Sequence, residues 1–389
     1  MPVPEDGDDS GRSLWFPSAR GTMATDDEAR TAIESGRLWE EFCDRLKDAG
    51  RIVARDLAGD DLDRAEGYRY LTRLTRLALE KFLEHADPLA PTFYRLSHET
   101  AKIGCDNPDS FYQNAAIDGS CEYRLRGTRG TISYLGIGAY YGHYGSSARS
   151  GCSDYLEAGA IKLGANASLE IILSARPQAG NWLRLDPDSS MLIVRQNFLD
   201  RTTEVAADLT LERIGSDGPP APLSSRQLAS GLREAASYVL GTATLFADWA
   251  AAFRTRPNRM LPLDPKVTGS AHGDPNIFFY MGWWELAPDE ALVIEATPPD
   301  CEYWNFQLNN VWMESLDYRY LPVCTNKHST RYRGDGSFRI VIAARNRGFA
   351  NWMDTAGHRR GTMGLRWIKA SHHPQPVTRV CRLDELEAD

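Results

Sequence analysis

Proton-transfer chemistry is first suggested by the segment NWMDTAGHRRGTMGLRW, residues 351–367. Asp354 and His358 lie four positions apart in it, close enough along the chain for their side chains to pair. A carboxylate beside an imidazole orients the ring and raises its pKa, so such a pair transfers protons near neutral pH. The alternative is a hydrogen-bonded turn between two strands, because Asn351 and Asp354 each favour an Asx turn and Gly357 permits positive φ.

A second candidate segment, CEYWNFQLNNVWMESLDYRY, spans residues 301–320 and combines amides, carboxylates and aromatic rings. As a strand it would present alternate side chains on two faces. One face carries Tyr303, Asn305, Gln307, Asn309, Val311, Met313, Ser315 and Asp317, and the other carries Trp304, Phe306, Leu308, Asn310, Trp312, Glu314, Leu316 and Tyr318. Amides donate and accept hydrogen bonds without net charge. The amide face therefore suits a polar cavity or, alternatively, a buried network that braces a loop.

Two carboxylates, Glu314 and Asp317, lie in the second segment. If the strand gives way to helix there, they lie one helical turn apart on one face, as general acid/base chemistry needs. We therefore predict a site between the two segments, with Asp354 and His358 as acid and base and Glu314 or Asp317 as a second carboxylate. The predicted substrate-binding residues are Trp304, Gln307, Asn309, Trp312, Tyr318, Asn351 and Trp352.

Such a site predicts a hydrolase, or a lyase or hydratase, that acts on a small, uncharged, partly apolar metabolite, for example a terpenoid, a steroid-like or an aromatic compound. These reactions need only acid and base groups, and the sequence has no redox-cofactor motif, so we expect no cofactor. Two other functions fit the same residues. A carbohydrate-binding sandwich would expose coplanar rings, and an oligomeric assembly module would pack Trp304 and Trp312 against a second copy.

Motifs of several common enzyme classes are missing from the sequence. It contains neither G-x-x-x-x-G-K-[ST] nor G-x-S-x-G, which disfavours a P-loop and standard α/β-hydrolase chemistry. Its 8 histidines form no H-x-H or H-E-x-x-H and its 7 cysteines no C-x-x-C, so we predict no metal site. The odd number of widely spaced cysteines predicts a reducing compartment, the cytoplasm.

The net charge of the chain argues against two classes of binding partner. The chain of 389 residues carries a formal charge of −9, whereas nucleic acids and anionic membranes bind clustered Lys and Arg, so we expect neither as a partner. The most apolar long run, residues 237–253, contains Asp248 and predicts a buried or amphipathic helix instead of a membrane span. The expected partner is a small-molecule substrate, with further copies of the chain as an alternative.

The elements that must position these residues fall into blocks. The pattern predicts an α+β fold, in which a helical N-terminal region precedes antiparallel β-sandwich or jelly-roll-like domains with one long inserted helix. The predicted units are a disordered tail over 1–28, helices over 29–105, a β-rich domain over 106–214, a linker and long helix over 215–262, and a β-rich C-terminal domain over 263–389. Ser224 or Ser225 is the predicted N-cap of the long helix.

The two C-terminal segments resemble the paired signatures of a bacterial family, the domain of unknown function twelve-fourteen. The residues that carry the resemblance are EYWNFQLNNVWMESLDYR and NWMDTAGHRRGTMGLRW. Segments of longer family members resemble EGYRYL (66–71), DNPDSFYQNAAIDGSCEYRLRG (106–127) and NWLRLDPDSSMLIVRQNFLDR (181–201). The resemblance covers most of the chain after the tail. It implies a β-sandwich or jelly-roll C-terminal domain and supplies no reaction.

Overall fold

The computed structural model describes residues 25–145, 149–215 and 218–388. Residues 1–24, most of the predicted tail, lie outside the described residues. At the end of that range, Thr25 caps the first helix: its hydroxyl accepts a hydrogen bond from the Glu28 N–H, and its own N–H donates to the Glu28 carboxylate at 2.8 Å. This capping box begins the helix at Asp26, inside the range predicted as tail.

Helices and strands occur in blocks along the chain. The helices are α1 (Asp26–Glu34), α2 (Arg37–Val53), α3 (Asp61–Leu79), α4 (Ser225–Arg254) and α5 (Pro265–Ser270), with a π-helical turn (Glu80–Glu84) that continues α3. Strands before α4 are β1 (Ser110–Ala116), β2 (Tyr123–Thr128), β3 (Tyr134–Tyr141), β4 (Gly151–Glu157), β5 (Ser168–Ser174), β6 (Trp182–Arg184), β7 (Met191–Asn197) and β8 (Asp208–Arg213). Strands after α4 are β9 (Arg259–Pro262), β10 (Ile277–Glu285), β11 (Glu290–Ala296), β12 (Tyr303–Leu308), β13 (Cys324–Asn326), β14 (Phe338–Ala343), β15 (Trp352–Asp354), β16 (Arg360–Ile368) and β17 (Val377–Arg382).

The first three helices pack around α4 in one bundle. Ser224, one of the two residues predicted as the N-cap of α4, is its N-cap. Helix α4 contacts α1, α2 and α3, and its buried Ala235, Val239 and Ala243 share a core with Leu74 and Leu77 of α3. Among the helices that the structure describes, none is long and apolar enough to cross a membrane.

The first β-sandwich consists of two four-stranded sheets, β1-β7-β3-β4 and β6-β5-β2-β8. Its core lies between them and includes Leu125, Ile137, Ile171, Leu173, Leu192 and Val194. The two strands predicted on either side of the turn at residues 127–130 are both present. They belong to opposite sheets, because β2 pairs with β5 and β8 whereas β3 pairs with β4 and β7.

The second β-sandwich packs sheet β13-β12-β16-β10-β9 on sheet β15-β14-β11-β17. The alternation predicted for residues 301–320 holds along β12, where Trp304, Phe306 and Leu308 are buried in the core between the sheets. Beyond Leu308 the chain leaves the sheet, so the rest of that strand prediction is wrong. The α+β fold with β-sandwiches and a long inserted helix is confirmed.

The amide face of the second sandwich turns toward the first sandwich. Across this seam, Asn305 Nδ2 donates to Asn107 Oδ1 at 2.9 Å, and the Tyr134 hydroxyl donates to Asp274 Oδ2 at 2.9 Å. The segment that connects the helices to β1 lies in the seam, since Gln307 Nε2 donates to the backbone carbonyl of Asp106 at 2.7 Å. Both sandwiches and the helical bundle therefore meet in one region.

Candidate functional site

Asp354 and His358 do not pair, so that prediction is wrong. Asp354 ends β15, and its Oδ1 accepts from the N–H of Ala356 at 2.8 Å in an Asx turn. Ala356 and Gly357 follow with φ of 52° and 83°, which redirects the chain. The His358 side chain is then buried against α3, with Nδ1 3.6 Å from Asp63 and Nε2 3.4 Å from the Glu66 carboxylate. The local geometry is that of the alternative, a hydrogen-bonded turn.

The two carboxylates of the second segment also have separate partners. Glu314 is buried, accepts from an Arg73 guanidinium nitrogen at 2.6 Å and from Asn310 Nδ2 at 3.0 Å, and burial raises its pKa. Asp317 lies near the surface, where hydrogen bonds from Arg319 lower its pKa. The predicted helical turn that would align these carboxylates is absent, because residues 309–317 form a loop.

The predicted apolar walls are core residues. Trp304 stacks on Phe338, with ring centroids 4.7 Å apart, between the sheets of the second sandwich. Trp312 is buried under the helices, and its Nε1 donates to the backbone carbonyl of Asp63 at 2.7 Å. The ring of Tyr318 lies 4.7 Å from the amine of Lys102.

The predicted contacts of the 351–367 segment brace the second sandwich. Asn351 Nδ2 donates to the carbonyls of Arg331 and Arg339, each at 2.9 Å. Trp352 Nε1 donates to the carbonyl of Ala343 at 2.9 Å. Both side chains therefore satisfy backbone groups of neighbouring strands and loops.

The amide row of β12 forms a buried network that fixes the seam. Gln307 Oε1 accepts from Arg366 of β16 at 2.6 Å, and Gln307 Nε2 donates to Asn309 Oδ1 at 2.6 Å. Asn309 Nδ2 reaches the Cys105 sulfur at 3.2 Å. These predicted substrate-binding amides thus hold Arg366 and the 105–107 segment in place, directly behind the wall of a cavity.

That cavity, of about 160 Å³, lies where the two sandwiches and the helical bundle meet. Its apolar wall includes Ile193, Phe246, Trp249, Leu263, Phe279 and Met281. Its ionisable side chains include Lys81, Asp106, Arg195, His272, Asp274 and Arg366. A concave, mostly apolar space with a few convergent polar groups is the usual form of a small-molecule site. None of the residues predicted for the site from the sequence lines this cavity in the described part of the chain.

Lys81 enters the cavity from the π-helical turn that continues α3. Its Nζ lies 3.4 Å from the Tyr94 hydroxyl and 3.3 Å from the Met191 sulfur, both weak partners for an ammonium. Within the described ranges, no carboxylate forms an ion pair with it. Burial lowers the pKa of Lys81 to about 8. π-helical turns are rare and occur frequently at functional sites.

His272 lines the same cavity in a strained backbone conformation, with φ of 57°. Its Nε2 lies 3.1 Å from the Tyr141 carbonyl, which can only accept, and 2.9 Å from the Ser150 hydroxyl. Nε2 therefore carries the proton, and Nδ1 keeps a lone pair. Burial lowers the pKa of His272 to about 4, so the ring is neutral at pH 7.

Two buried arginines project from facing sheets. Arg195 of β7 donates to the Tyr140 hydroxyl at 2.7 Å and to the His272 carbonyl at 2.5 Å. Arg366 donates to the Gln307 amide oxygen and to the Cys105 carbonyl. All of these acceptors are neutral.

The carboxylates of the wall are already satisfied by neutral donors. Asp274 Oδ2 accepts from the hydroxyls of Tyr134 and Tyr155. Asp106 accepts from the N–H of Ser315 at 3.0 Å and from its hydroxyl at 2.8 Å. No group of three or more His, Cys, Asp and Glu side chains in residues 25–145, 149–215 and 218–388 is placed to hold a metal ion.

Comparison with solved structures finds a similar chain. The crystal structure of an uncharacterized protein from Burkholderia cenocepacia has a TM-score of 0.90 and 50% sequence identity, over 92% of this chain and 99% of that chain. The VPA0106 protein from Vibrio parahaemolyticus has a TM-score of 0.47 and 11% identity, over 87% of this chain and 100% of that chain. Neither a protein-family model nor a curated protein matches the chain.

Proposed function

We propose that this chain, which belongs to the same family as the uncharacterized Burkholderia cenocepacia protein, is an acid/base enzyme of the hydrolase or lyase type. Its site is the cavity beside Lys81. The observation that carries the proposal is the placement of the Lys81 amine, which lines the cavity without a carboxylate partner in the described residues. Structural lysines keep their amines in water or pair them, whereas a desolvated amine is a frequent general base.

The proposed chemistry uses the neutral fraction of Lys81. With a pKa of about 8, the amine takes a proton from a bound substrate near neutral pH and returns it as an ammonium in a later step. His272 is too weak a base for this role at pH 7, because its pKa is about 4. Its Nδ1 lone pair instead accepts a hydrogen bond from a hydroxyl or N–H of the ligand.

The size of the cavity bears on the substrate. Apolar cavities of about 150 Å³ accept a molecule the size of benzene. A volume of about 160 Å³ therefore suits a single-ring aromatic or a small terpenoid-like molecule better than a steroid nucleus. The aromatic wall, which includes Phe246, Trp249 and Phe279, supplies stacking contacts for such a ring.

The placement of the tryptophans favours neither of the other two functions. Trp304 and Trp312 are 0% and 1% exposed, so they cannot stack on a sugar at the surface. Side chains of the same chain cover both tryptophan rings, so neither ring has exposed area for contact with a second copy.

Turnover of a defined panel tests the proposal. Single-ring aromatic and terpenoid esters, alcohols, enones and acids are incubated with the protein, and each compound is followed by mass spectrometry. We expect wild type to consume at least one compound and Lys81→Met to be slower by about 100-fold or more, the usual contribution of a general base. Lys81→Arg keeps a cation that cannot deprotonate and is expected to be equally inactive.

Two control variants separate this site from the one predicted in the sequence. Lys102→Met removes another buried amine, which is bonded to the carbonyls of Ser315 and Leu316 and does not line the cavity. Asp354→Asn keeps the Asx turn. Both are expected to retain turnover. If Lys81→Met keeps its activity and a folded Asp354→Asn loses it, the active site lies in residues 351–367 and not in the cavity. If compounds bind and none is turned over, the protein binds ligands without catalysis.

A further inference from the structure

Arg195 carries a buried charge whose direct hydrogen-bond partners are neutral. It is 9% exposed and donates to a phenol and to a backbone carbonyl. In the part of the chain that the structure describes, no Asp or Glu lies within ion-pair distance of its guanidinium. An arginine in such a position is costly, since its desolvation is only partly offset by neutral acceptors.

Arg366 repeats this arrangement on the opposite wall. It is 4% exposed and donates to the oxygens of Asn305 and Gln307 and to the Cys105 carbonyl. It too lacks an ion pair among residues 25–145, 149–215 and 218–388. The amide row of β12 thus anchors a cation at the edge of the cavity through neutral acceptors.

Arg195 and Arg366 line the same cavity, the first from β7 of the first sandwich and the second from β16 of the second, together with Tyr112 of β1. Lys81 adds a third cation to the same wall. The wall carboxylates Asp106 and Asp274 do not neutralise these cations by direct contact, because their oxygens accept from hydroxyls and N–H groups.

We propose that the ligand of this cavity is a ring-sized organic acid whose carboxylate binds between Arg195 and Arg366. The inference rests on the proposed function, since it assigns a substrate class to the same cavity. Arginine is the preferred partner for carboxylates because its planar group donates two parallel hydrogen bonds. The apolar part of the acid packs against the aromatic wall, and the reacting atom lies toward Lys81. This replaces the uncharged substrate expected from the amide row.

Matched pairs of probes test the proposal in the full chain. The affinities of sodium benzoate and benzamide, and of phenylacetate and phenylacetamide, are measured by isothermal titration calorimetry at equal ionic strength. We expect each acid to bind wild type about tenfold more tightly than its amide, or better, because charge-assisted hydrogen bonds are roughly twice as strong as neutral ones. Arg195→Gln is expected to bring the ratio close to one, and Arg195→Lys to keep part of the preference.

Arg126→Gln is the matched control, since Arg126 is exposed on the outer sheet of the first sandwich and pairs with Glu212. It is expected to keep the full preference for acids. Amides that bind wild type as tightly as acids, or a panel in which no acid binds at millimolar concentration, would overturn the proposal. So would an unchanged preference in Arg195→Gln. If that variant does not fold, the wild-type ratio and Arg195→Lys decide. Lys81→Met separates the two proposals, because it is expected to slow turnover by about 100-fold or more and to leave the preference for acids measurable.

Discussion

At the scale of single residues, the amines of buried Lys102 and half-buried Lys81 have different hydrogen-bond partners. Lys102 donates to two backbone carbonyls, of Ser315 and Leu316, at 2.5 and 3.0 Å, and these fixed acceptors replace part of its hydration, while burial still lowers the pKa of Lys102. The Lys81 amine is within hydrogen-bond distance of a hydroxyl and a thioether and lies 5.1 Å from the centre of the Phe82 ring. Lys102 thus stabilises a loop, whereas Lys81 remains available for chemistry.

This difference predicts opposite effects of two identical substitutions. At pH 7 the Lys81 amine is charged in the unfolded chain, and folding desolvates that charge. Because the folded pKa is about 8 against an ordinary value near 10.5, Lys81→Met should raise the free energy of unfolding at pH 7 by about 2–3 kcal/mol. The gain should shrink between pH 8 and 10.5 and vanish above it, where the amine is neutral in both states.

Urea denaturation of wild type, Lys81→Met and Lys102→Met across pH 7–10.5 checks this. Lys102→Met should lose stability, about 1–3 kcal/mol, because two buried carbonyls lose their donor. A wild type that is more stable than Lys81→Met at pH 7 would mean that a partner compensates the Lys81 charge.

At the scale of elements, the spacing of the buried residues of α3 points to Lys81. Leu74, Leu77 and Ala78 are buried, and position 81 continues their spacing of three and four residues. A lysine on a core-facing stripe is a functional candidate, whereas Asp354 and His358 were chosen for local spacing alone. Local spacing predicted β12 and the cap of α4 correctly. It did not predict the partner of His358, because Asp63 and Glu66 come from a distant helix.

A second long-range contact joins α3 to the loop after β12. Arg73 and Glu314, separated by 241 residues, form a bond of 2.6 Å with 15% and 2% of their side chains exposed. Removing one partner of a buried pair leaves an unpaired charge and typically costs about 3–5 kcal/mol. We expect Glu314→Gln to lower the free energy of unfolding by about 3 kcal/mol. Arg73→Met combined with Glu314→Gln should recover part of that loss.

A double-mutant cycle by chemical denaturation measures this coupling. Arg69→Met is the control, because Arg69 lies on the same helix in a more exposed pair with Glu66. Its effect should stay within about 1 kcal/mol. Additive losses from Arg73→Met and Glu314→Gln would contradict the assigned coupling.

At the scale of the whole molecule, the blocks of helix and strand were predictable from periodicity, but their contacts were not. The amide row of β12 forms a buried hydrogen-bond network, which is one of the two alternatives stated for it from the sequence. The sequence could not indicate that this network lies at the seam with the first sandwich, where Asn107 and Asp106 accept its hydrogen bonds. Residues of the cavity come from the π-helical turn after α3 and from β1, β7, α4, β10 and β16, so no single motif contains them.

Helix α4 and the turn after β3 approach each other closely beside the cavity. A methyl group at Gly241 of α4 would meet the Cα of Gly145 at 2.1 Å, and Gly145 itself has φ of 80°. Tyr144 and Tyr238, on the two sides of this contact, line the cavity. Gly241→Ala must therefore push the helix and the turn apart.

We expect Gly241→Ala to lower the free energy of unfolding by about 1–3 kcal/mol, as overpacking does. Gly50→Ala in α2 is the matched control, because a methyl group there meets nothing within 4 Å and should raise stability by roughly 0.5–1 kcal/mol. The same titration with benzoate should show weaker binding for Gly241→Ala and unchanged binding for Gly50→Ala, since only the first displaces cavity walls. If Gly241→Ala is destabilised and binds benzoate normally, the helix and the cavity are independent. The site then belongs to the two sandwiches alone, and Lys81, which the helical bundle supplies, would lose its assigned place beside the ligand.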